Sequence, residues 1–263
     1  MKIRDLFAIM KNISVKENLS TPYICGGVAR DFVMGNLKKI NDIDITTGDL
    51  SVKELSKKLY EYFSSKFKVE YKLSTDGHQS IFFNNMKIDF SSHFVLHDID
   101  VILKKMGVTT INSMMEEIYS RDFTCNSLLL GTDMKEVRDL THRGSSDIKE
   151  KVIRTILDPS ITLTQNKNRV VRAIYGAIHL GFTIDPKIVQ FVQSNPASFT
   201  ISTSNQVKEK LSYCFKKDPE KTSRYISDMG LWELIPLTPE TQAHVQKNYL
   251  HSSQDRNNDA NQK

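Results

Sequence analysis

Residues 26–47, GGVARDFVMGNLKKINDIDITT, open on a Gly-Gly pair and close on Asp42 and Asp44, two aspartates separated by one isoleucine. Side chains two apart on a strand project from the same face, so Asp42 and Asp44 point together while Ile43 and Ile45 point the other way. Two oxygen donors placed like this suit a divalent cation. Just upstream, Tyr23–Cys25 reads as a short buried strand, Gly26-Gly27 as a turn and the residues after it as a helix start. Such a junction lets the backbone approach a polyphosphate with helix N–H groups aimed at it. Arg30, one turn into that helix, adds a planar fork for phosphate oxygens. A phosphate cradle and a metal pair in one segment make chemical sense together. The second Asp-Ile-Asp, Asp98 to Asp100, lacks these neighbours and reads as a solvated loop or helix start.

Working outward, the first half mixes element types. The segment 51–67 places Val52, Leu55, Leu59, Phe63 and Phe67 at helical spacing, with Ser51 and Glu54 in capping-box register. FKVEYKL, QSIFFNN and MKIDFSSHF read as strands, the last two joined at Asn84-Asn85, residues that tolerate a left-handed turn. Asp89 lies on the opposite face of its strand from Ile88 and Phe90. A helix is expected in the segment beginning at Ser113, with Ser113 and Glu116 again in capping-box register, and a short strand near Val137. From about residue 156 the pattern is wholly helical, with breaks at Asn195-Pro196 and Asp218-Pro219. The fold class is α+β: a mixed sheet with flanking helices followed by an all-α region. The expected division is 1–155, 156–250 and a polar, disordered tail at 251–263.

The bulk numbers exclude several classes. With 263 residues, 39% hydrophobic and 25% charged, the chain can build one large or two ordinary cores. No apolar run reaches the length of a membrane span, and the opening MKIRDLFAIMKN reads as an amphipathic helix rather than a signal peptide. Cys25, Cys125 and Cys214 are scattered, without metal or redox spacing, which suits a reducing cytoplasm. A net charge of +5 permits a nucleic-acid partner without demanding one. Basic residues concentrate at 149–172 and 208–224. Nothing specifies an oligomeric state.

The order GG-x-x-RD, a glycine at 35, then D-x-D resembles the head of class II tRNA nucleotidyltransferases, the CCA-adding enzymes and bacterial poly(A) polymerases of the polymerase-beta-like superfamily. SRDFTCNSLLL, with Arg121, Asp122, Phe123, Thr124 and Asn126, is similar to the family's RRDFT-x-N segment. DLTHRGSSDIKEKVIRTI resembles the passage from head to neck, and NRVVRAIYGAIHLGF the neck signature. The likeness runs over roughly residues 20 to 185.

The resemblance implies a template-independent nucleotidyltransferase that adds nucleotides from an NTP to the 3′ end of RNA, with tRNA as the first-choice acceptor, and releases pyrophosphate. It implies that Asp42 and Asp44 hold two Mg2+ ions, with Asp89 as a third ligand or an aid to hydroxyl activation, a hairpin carboxylate in solvent being the alternative. Gly26, Gly27 and Arg30 would meet the triphosphate. Arg121 and Asp122 would position ribose and phosphates, with helix capping or an internal ion pair as the alternative for Asp122. Arg172 belongs to the same nucleotide-binding set. The family reads the incoming base with E-D-x-x-R, where this chain has Gln165, Asn166, Lys167, Asn168 and Arg169.

Amides in place of acids leave CTP and ATP as the first expectation without excluding UTP or GTP. Tyr175 stands where many relatives carry arginine, SSHF at 91–94 replaces a TTFR-like strand end, and about 80 residues follow Leu180-Gly181-Phe182, fewer than a full body and tail. Two alternatives stand beside the main reading. One is a nucleotidyltransferase with a changed base or acceptor, toxin- or effector-like, modifying tRNA or protein. The other is a non-catalytic RNA-binding descendant.

Overall fold

The computed structural model describes residues 3–37, 40–75, 77–239 and 241. The tail expected at 251–263 lies outside the described residues. The chain divides into two compact units, Met1–Glu150 and Lys151–Lys263.

The first unit runs α1 (Ile3–Lys16), β1 (Tyr23–Cys25), α2 (Gly26–Val33), β2 (Asp42–Thr46), α3 (Ser51–Ser64), β3 (Glu70–Leu73), β4 (Gln79–Phe83), β5 (Met86–Phe90), α4 (Ile99–Lys105), α5 (Ser113–Tyr119), β6 (Leu129–Gly131), β7 (Val137–Arg138) and α6 (Gly144–Glu150). A seven-stranded sheet has the order β3-β4-β5-β2-β1-β6-β7. All its pairings are antiparallel except β2 with β5, which is parallel because α3 and the β3-β4 pair intervene in the chain. The two-residue connection at Asn84 and Asn85 adopts φ +49° and +60°, the left-handed pair that a tight hairpin needs.

Register sorts the sheet into two faces. Ile43, Ile45, Ile81, Ile88 and Phe90, all 0% exposed, lie on the side of α3, where Phe63 stacks on Phe83 with centroids 4.5 Å apart. Leu6, Phe7 and Met10 of α1 are equally buried, and α1 packs on α3. Burying side chains of this size contributes roughly 1.5–3 kcal/mol each, which fixes the register and therefore what the other face displays. That face carries Asp42, Asp44, Lys87, Asp89, Ser80 and Phe82.

Two caps differ from expectation. Asp49, rather than Ser51, accepts from the Ser51 amide at the start of α3, at 2.9 Å, and also takes the hydroxyls of Ser20 and Thr47. Asn112, rather than Ser113, accepts from the Met115 amide at 3.0 Å to cap α5. Asn112 has the extended backbone of a cap residue, whereas Asp49 reaches the Ser51 amide across Leu50. The second Asp-Ile-Asp begins α4: Asp98 takes φ +59° and Asp100 pairs with Lys104 at 3.0 Å on the surface.

The second unit contains β8 (Val152–Ile153), α7 (Pro159–Gln165), α8 (Arg169–Leu180), β9 (Thr183–Ile184), α9 (Pro186–Ser194), α10 (Asn205–Lys217) and α11 (Pro219–Asp228). The wholly helical expectation needs a small correction, since β8 and β9 form a short parallel pair. Gly181, at φ +71°, ends α8 and turns the chain back, and Arg154 is paired with the buried Asp185 just past β9. Proline follows an aspartate cap in α7, α9 and α11 alike.

Candidate active site

The two glycines do different work. Gly26 opens α2 at φ +67°, and a Cβ there would lie 2.5 Å from Asp44 Oδ2. At Gly27 a Cβ would meet Arg30 Nη2 at 3.5 Å, so the guanidinium folds back over the turn. Arg30 donates from Nε and Nη2 to Asp31 Oδ1, at 2.9 and 2.8 Å, and from Nη1 to Asn126 Oδ1 at 2.8 Å. Those bonds engage three of its five N–H groups and orient the fork. Asn126, from the RDFT segment, is thereby tied to the Gly-Gly turn.

Asp42 and Asp44 project from the same face of β2, and Asp44 sits opposite both Cys25 of β1 and Asp89 of β5. Burial raises the pKa of Asp44, with repulsion from Asp42 and Asp89 adding to it against the pull of Arg121. Burial and Asp89 raise Asp42 in the same way, offset in part by Lys87. Two carboxylates whose ionisation is opposed by their surroundings are ready to accept a cation.

Asp89 behaves differently. It is 6% exposed, so the solvent alternative does not describe it. Burial opposes its charge, but bonds from His78, Lys87 and Ser80 outweigh that and hold its pKa at about 2. The Ser80 hydroxyl donates to it at 2.5 Å, His78 Nε2 lies 3.4 Å away, and the Lys87 ammonium is bonded to its other oxygen. A folded-state pKa below the ordinary 3.8 means that Asp89 adds stability above that value. The contribution is lost as the pH falls from about 4 through about 2. We expect wild type and Asp89→Asn to differ in thermal midpoint at neutral pH and to converge at the acid end of that window, read by a pH series of melts.

Arg121 is drawn inward. Its Nη2 donates to Glu117 Oε1 at 2.6 Å, one helical turn back, and both side chains are largely buried. Glu117, 2% exposed, also accepts from Thr46 at 2.8 Å and Ser91 at 3.0 Å. Burial works against its charge, but Arg121 and the two hydroxyls leave its pKa below the usual range. Burial pushes the neighbouring Cys25 thiol up to about 12, so it stays protonated. Asp122 is 5% exposed, and its Oδ1 accepts from the Phe123 amide at 2.8 Å.

Sequence reasoning missed Glu117, Lys87, His78 and Ser80. The i, i+4 spacing of Glu117 and Arg121 was the available signal for the first. For the other three the signal is strand register around Asp89, which needs the pairing to be known.

In the second unit Asn166 ends α7, and its Oδ1 accepts from the Asn168 amide at 3.1 Å. Arg169, at the start of α8, donates from Nη1 to the Thr162 carbonyl at 3.1 Å. Arg172 is exposed one turn further on.

Among the described residues no three His, Cys, Asp or Glu side chains gather into a closed metal site. The two-carboxylate set at Asp42 and Asp44 still fits Mg2+, which binds through one or two carboxylates and completes its shell with water and substrate phosphates. Gly26, kept bare beside Asp44, leaves space that a side chain would fill.

The family model described as the poly A polymerase head domain matches residues 22–154, half of the chain. The chain belongs to that family. It carries the head of class II tRNA nucleotidyltransferases. The tRNA nucleotidyltransferase cca2 of Schizosaccharomyces pombe is 26% identical over 187 residues, covering 65% of this chain and 37% of the relative. The CCA-adding enzyme of Levilactobacillus brevis is 27% identical over 219 residues, covering 81% and 51%. Among solved structures, a tRNA-processing enzyme in apo form aligns with a TM-score of 0.67 at 21% identity over 88% of this chain and 58% of its own. The Thermotoga maritima CCA-adding enzyme complexed with tRNA aligns at 0.63 and 21% identity, over 86% and 50%. The chain thus spans about half the length of these relatives or less. Among the described residues no helix is long and apolar enough to cross a membrane.

A methyl group at Gly26 tests the cradle. Gly26→Ala strains a left-handed backbone and displaces the Asp44 carboxylate, and misplacement on that scale costs on the order of a hundredfold in rate. A steady-state assay of the activity proposed below would show the loss, with circular dichroism reporting that the fold persists.

Proposed function

We propose that this protein is a Mg2+-dependent, template-independent nucleotidyltransferase that adds nucleotides from an NTP to the 3′ end of RNA, with tRNA as acceptor and pyrophosphate as leaving product. The observation carrying this reading is Asp42 and Asp44 side by side on β2, with Gly26 held bare against Asp44. In this reading the unit up to Glu150 is the catalytic head and the helical unit is the neck.

Asp42 and Asp44 would hold two Mg2+ ions, which when bound would lower the pKa of the attacking 3′-hydroxyl and neutralise triphosphate charge. The remaining work falls to the chain's own groups. The first amides of α2 meet phosphate oxygens, and the two N–H groups that Arg30 has left beyond Asp31 and Asn126 add to them. Arg121, clamped by Glu117, supplies fixed positive charge behind the aspartates. Asp89, ionised at any ordinary pH, anchors Lys87 instead of serving as a proton acceptor. Asn166, Arg169 and Arg172 would read the incoming nucleotide.

The test offers each labelled NTP with Mg2+ and total RNA and resolves the products on a denaturing gel. Label from CTP and ATP on tRNA-sized RNA is expected. Absence of transfer to any acceptor, with RNA binding unaltered in Asp42→Ala, would instead mark a non-catalytic RNA-binding descendant.

One observation favours a second reading, a changed base preference. The Asn166 oxygen gives one of its two lone pairs to the Asn168 amide, so its NH2 group is the part with the most hydrogen-bonding capacity left for a base. An aspartate in the same turn would present a second acceptor oxygen, matched to the exocyclic amine of cytosine or adenine. A donor instead suits a carbonyl-bearing base, U or G. In this reading wild type uses UTP or GTP, and Asn166→Asp moves the preference toward CTP or ATP by about tenfold, the effect of one charged hydrogen bond. An NTP competition assay reads the ratio, and an unchanged profile would remove Asn166 from base selection.

A further inference from the structure

The seam between α8 and α10 carries a surface feature that the reading above leaves unused. Tyr175 and His179 lie one turn apart on α8, their rings stacked at 5.3 Å and 11°. Tyr213 of α10 closes the group, with centroids 5.2 Å from Tyr175 and 5.6 Å from His179, and its hydroxyl shares a 3.0 Å hydrogen bond with His179 Nδ1. The Lys210 ammonium stands over the Tyr175 ring at 5.5 Å. His179 is exposed and both tyrosines are half-buried.

Packing does not account for this cluster. The buried aliphatic layer of these two helices includes Val171, Ile174 and Ile178 of α8 and Val207 and Leu211 of α10, all more buried than the rings. The rings sit outside that aliphatic layer. Charge on the two helices is mainly positive: α8 carries Arg169 and Arg172 with no carboxylate, and α10 carries Lys208, Lys210, Lys216 and Lys217 against Glu209 alone. Arg172, Tyr175 and His179 follow i, i+3, i+7 and so share one stripe of α8. Aromatic faces interleaved with cations are how proteins hold unpaired nucleic acid, the ring stacking a base while the cations meet phosphates.

We propose that Tyr175, His179 and Tyr213 form a stacking platform for an unpaired RNA nucleobase, with Lys210 meeting a flanking phosphate. The platform deepens the RNA 3′-end reading and rests on it for the identity of the polymer. The consequence is discrimination: the site favours single-stranded over fully paired RNA, because only an unpaired base can offer its face.

Fluorescence anisotropy on the full chain tests this with two labelled probes, a short unpaired oligoribonucleotide and a blunt RNA duplex, at one salt concentration. Tyr175→Leu combined with His179→Leu should weaken binding of the unpaired probe by about tenfold or more and leave the duplex unchanged, and Tyr175→Phe should retain wild-type affinity. Tyr175→Arg should bind both probes alike, with a steeper dependence on salt than wild type. Equal losses on both probes would overturn the platform in favour of a general field from the basic helices, and so would no loss on either. Thermal melts of each variant separate these results from unfolding. Nucleotide transfer measured in parallel keeps the two readings apart. A chain that stacks RNA but transfers nothing retains the platform and loses the activity, and one that transfers without distinguishing the leucine variant does the reverse.

Discussion

Asn in place of Asp44 should reduce nucleotide transfer on the order of a thousandfold while leaving the folded protein at least as stable as wild type. The rate effect follows from the charge stabilisation that a metal held by the two carboxylates would supply in the proposed reaction, several kcal/mol in the transition state. The stability effect has the opposite sign and a separate cause. The pKa of Asp44 is raised by burial, so its folded form binds a proton more tightly than the unfolded chain does. As the pH rises through the carboxylate range, wild type loses stability by ionising Asp44, and Asp44→Asn escapes that loss. Single-turnover transfer and metal-free thermal melts at neutral pH check both halves. A variant that lost activity and stability together would show that Asp44 is structural.

The second large effect concerns Glu117. Glu117→Ala should destabilise the protein by roughly 3–5 kcal/mol, the cost of leaving a buried charge without its partner. Arg121 is that charge, and the hydroxyls of Thr46 and Ser91 lose their acceptor at the same time. Glu117→Gln should cost less, since an amide oxygen can still accept from Arg121. Urea unfolding of the two variants orders them. If alanine and glutamine cost the same and little, the Glu117–Arg121 pair does not hold α5 against β2.

Much of β2 was legible in the sequence because strand geometry has period two. Asp42 and Asp44 had to share a face once Ile43 and Ile45 were given to the core, and the Asn84-Asn85 turn had few conformations open to it. The two Asp-Ile-Asp segments were separable by their neighbours alone, and the second indeed sits at a helix start with a surface ion pair. Caps were less legible, since Asp49 and Asn112 compete with Ser51 and Ser113 over a distance of one or two residues.

Asp89 shows where local reasoning stops. Its face followed from Ile88 and Phe90, yet its chemistry depends on Ser80 across the hairpin, on His78 before it and on the ammonium of Lys87. Arg121 and Glu117 are similar: spacing puts them four residues apart, while Thr46 of β2 and Ser91 just past β5 come from far away in the chain. The residues from 26 to 47 carry their own periodicity, turn chemistry and charge, and with the RDFT and neck segments they specify the family and the aspartate pair. Which carboxylates stay short of a counter-charge and which are neutralised is settled by strand pairing and burial. Those bring together groups that sequence distance keeps apart, in surroundings where a single hydrogen bond decides a proton.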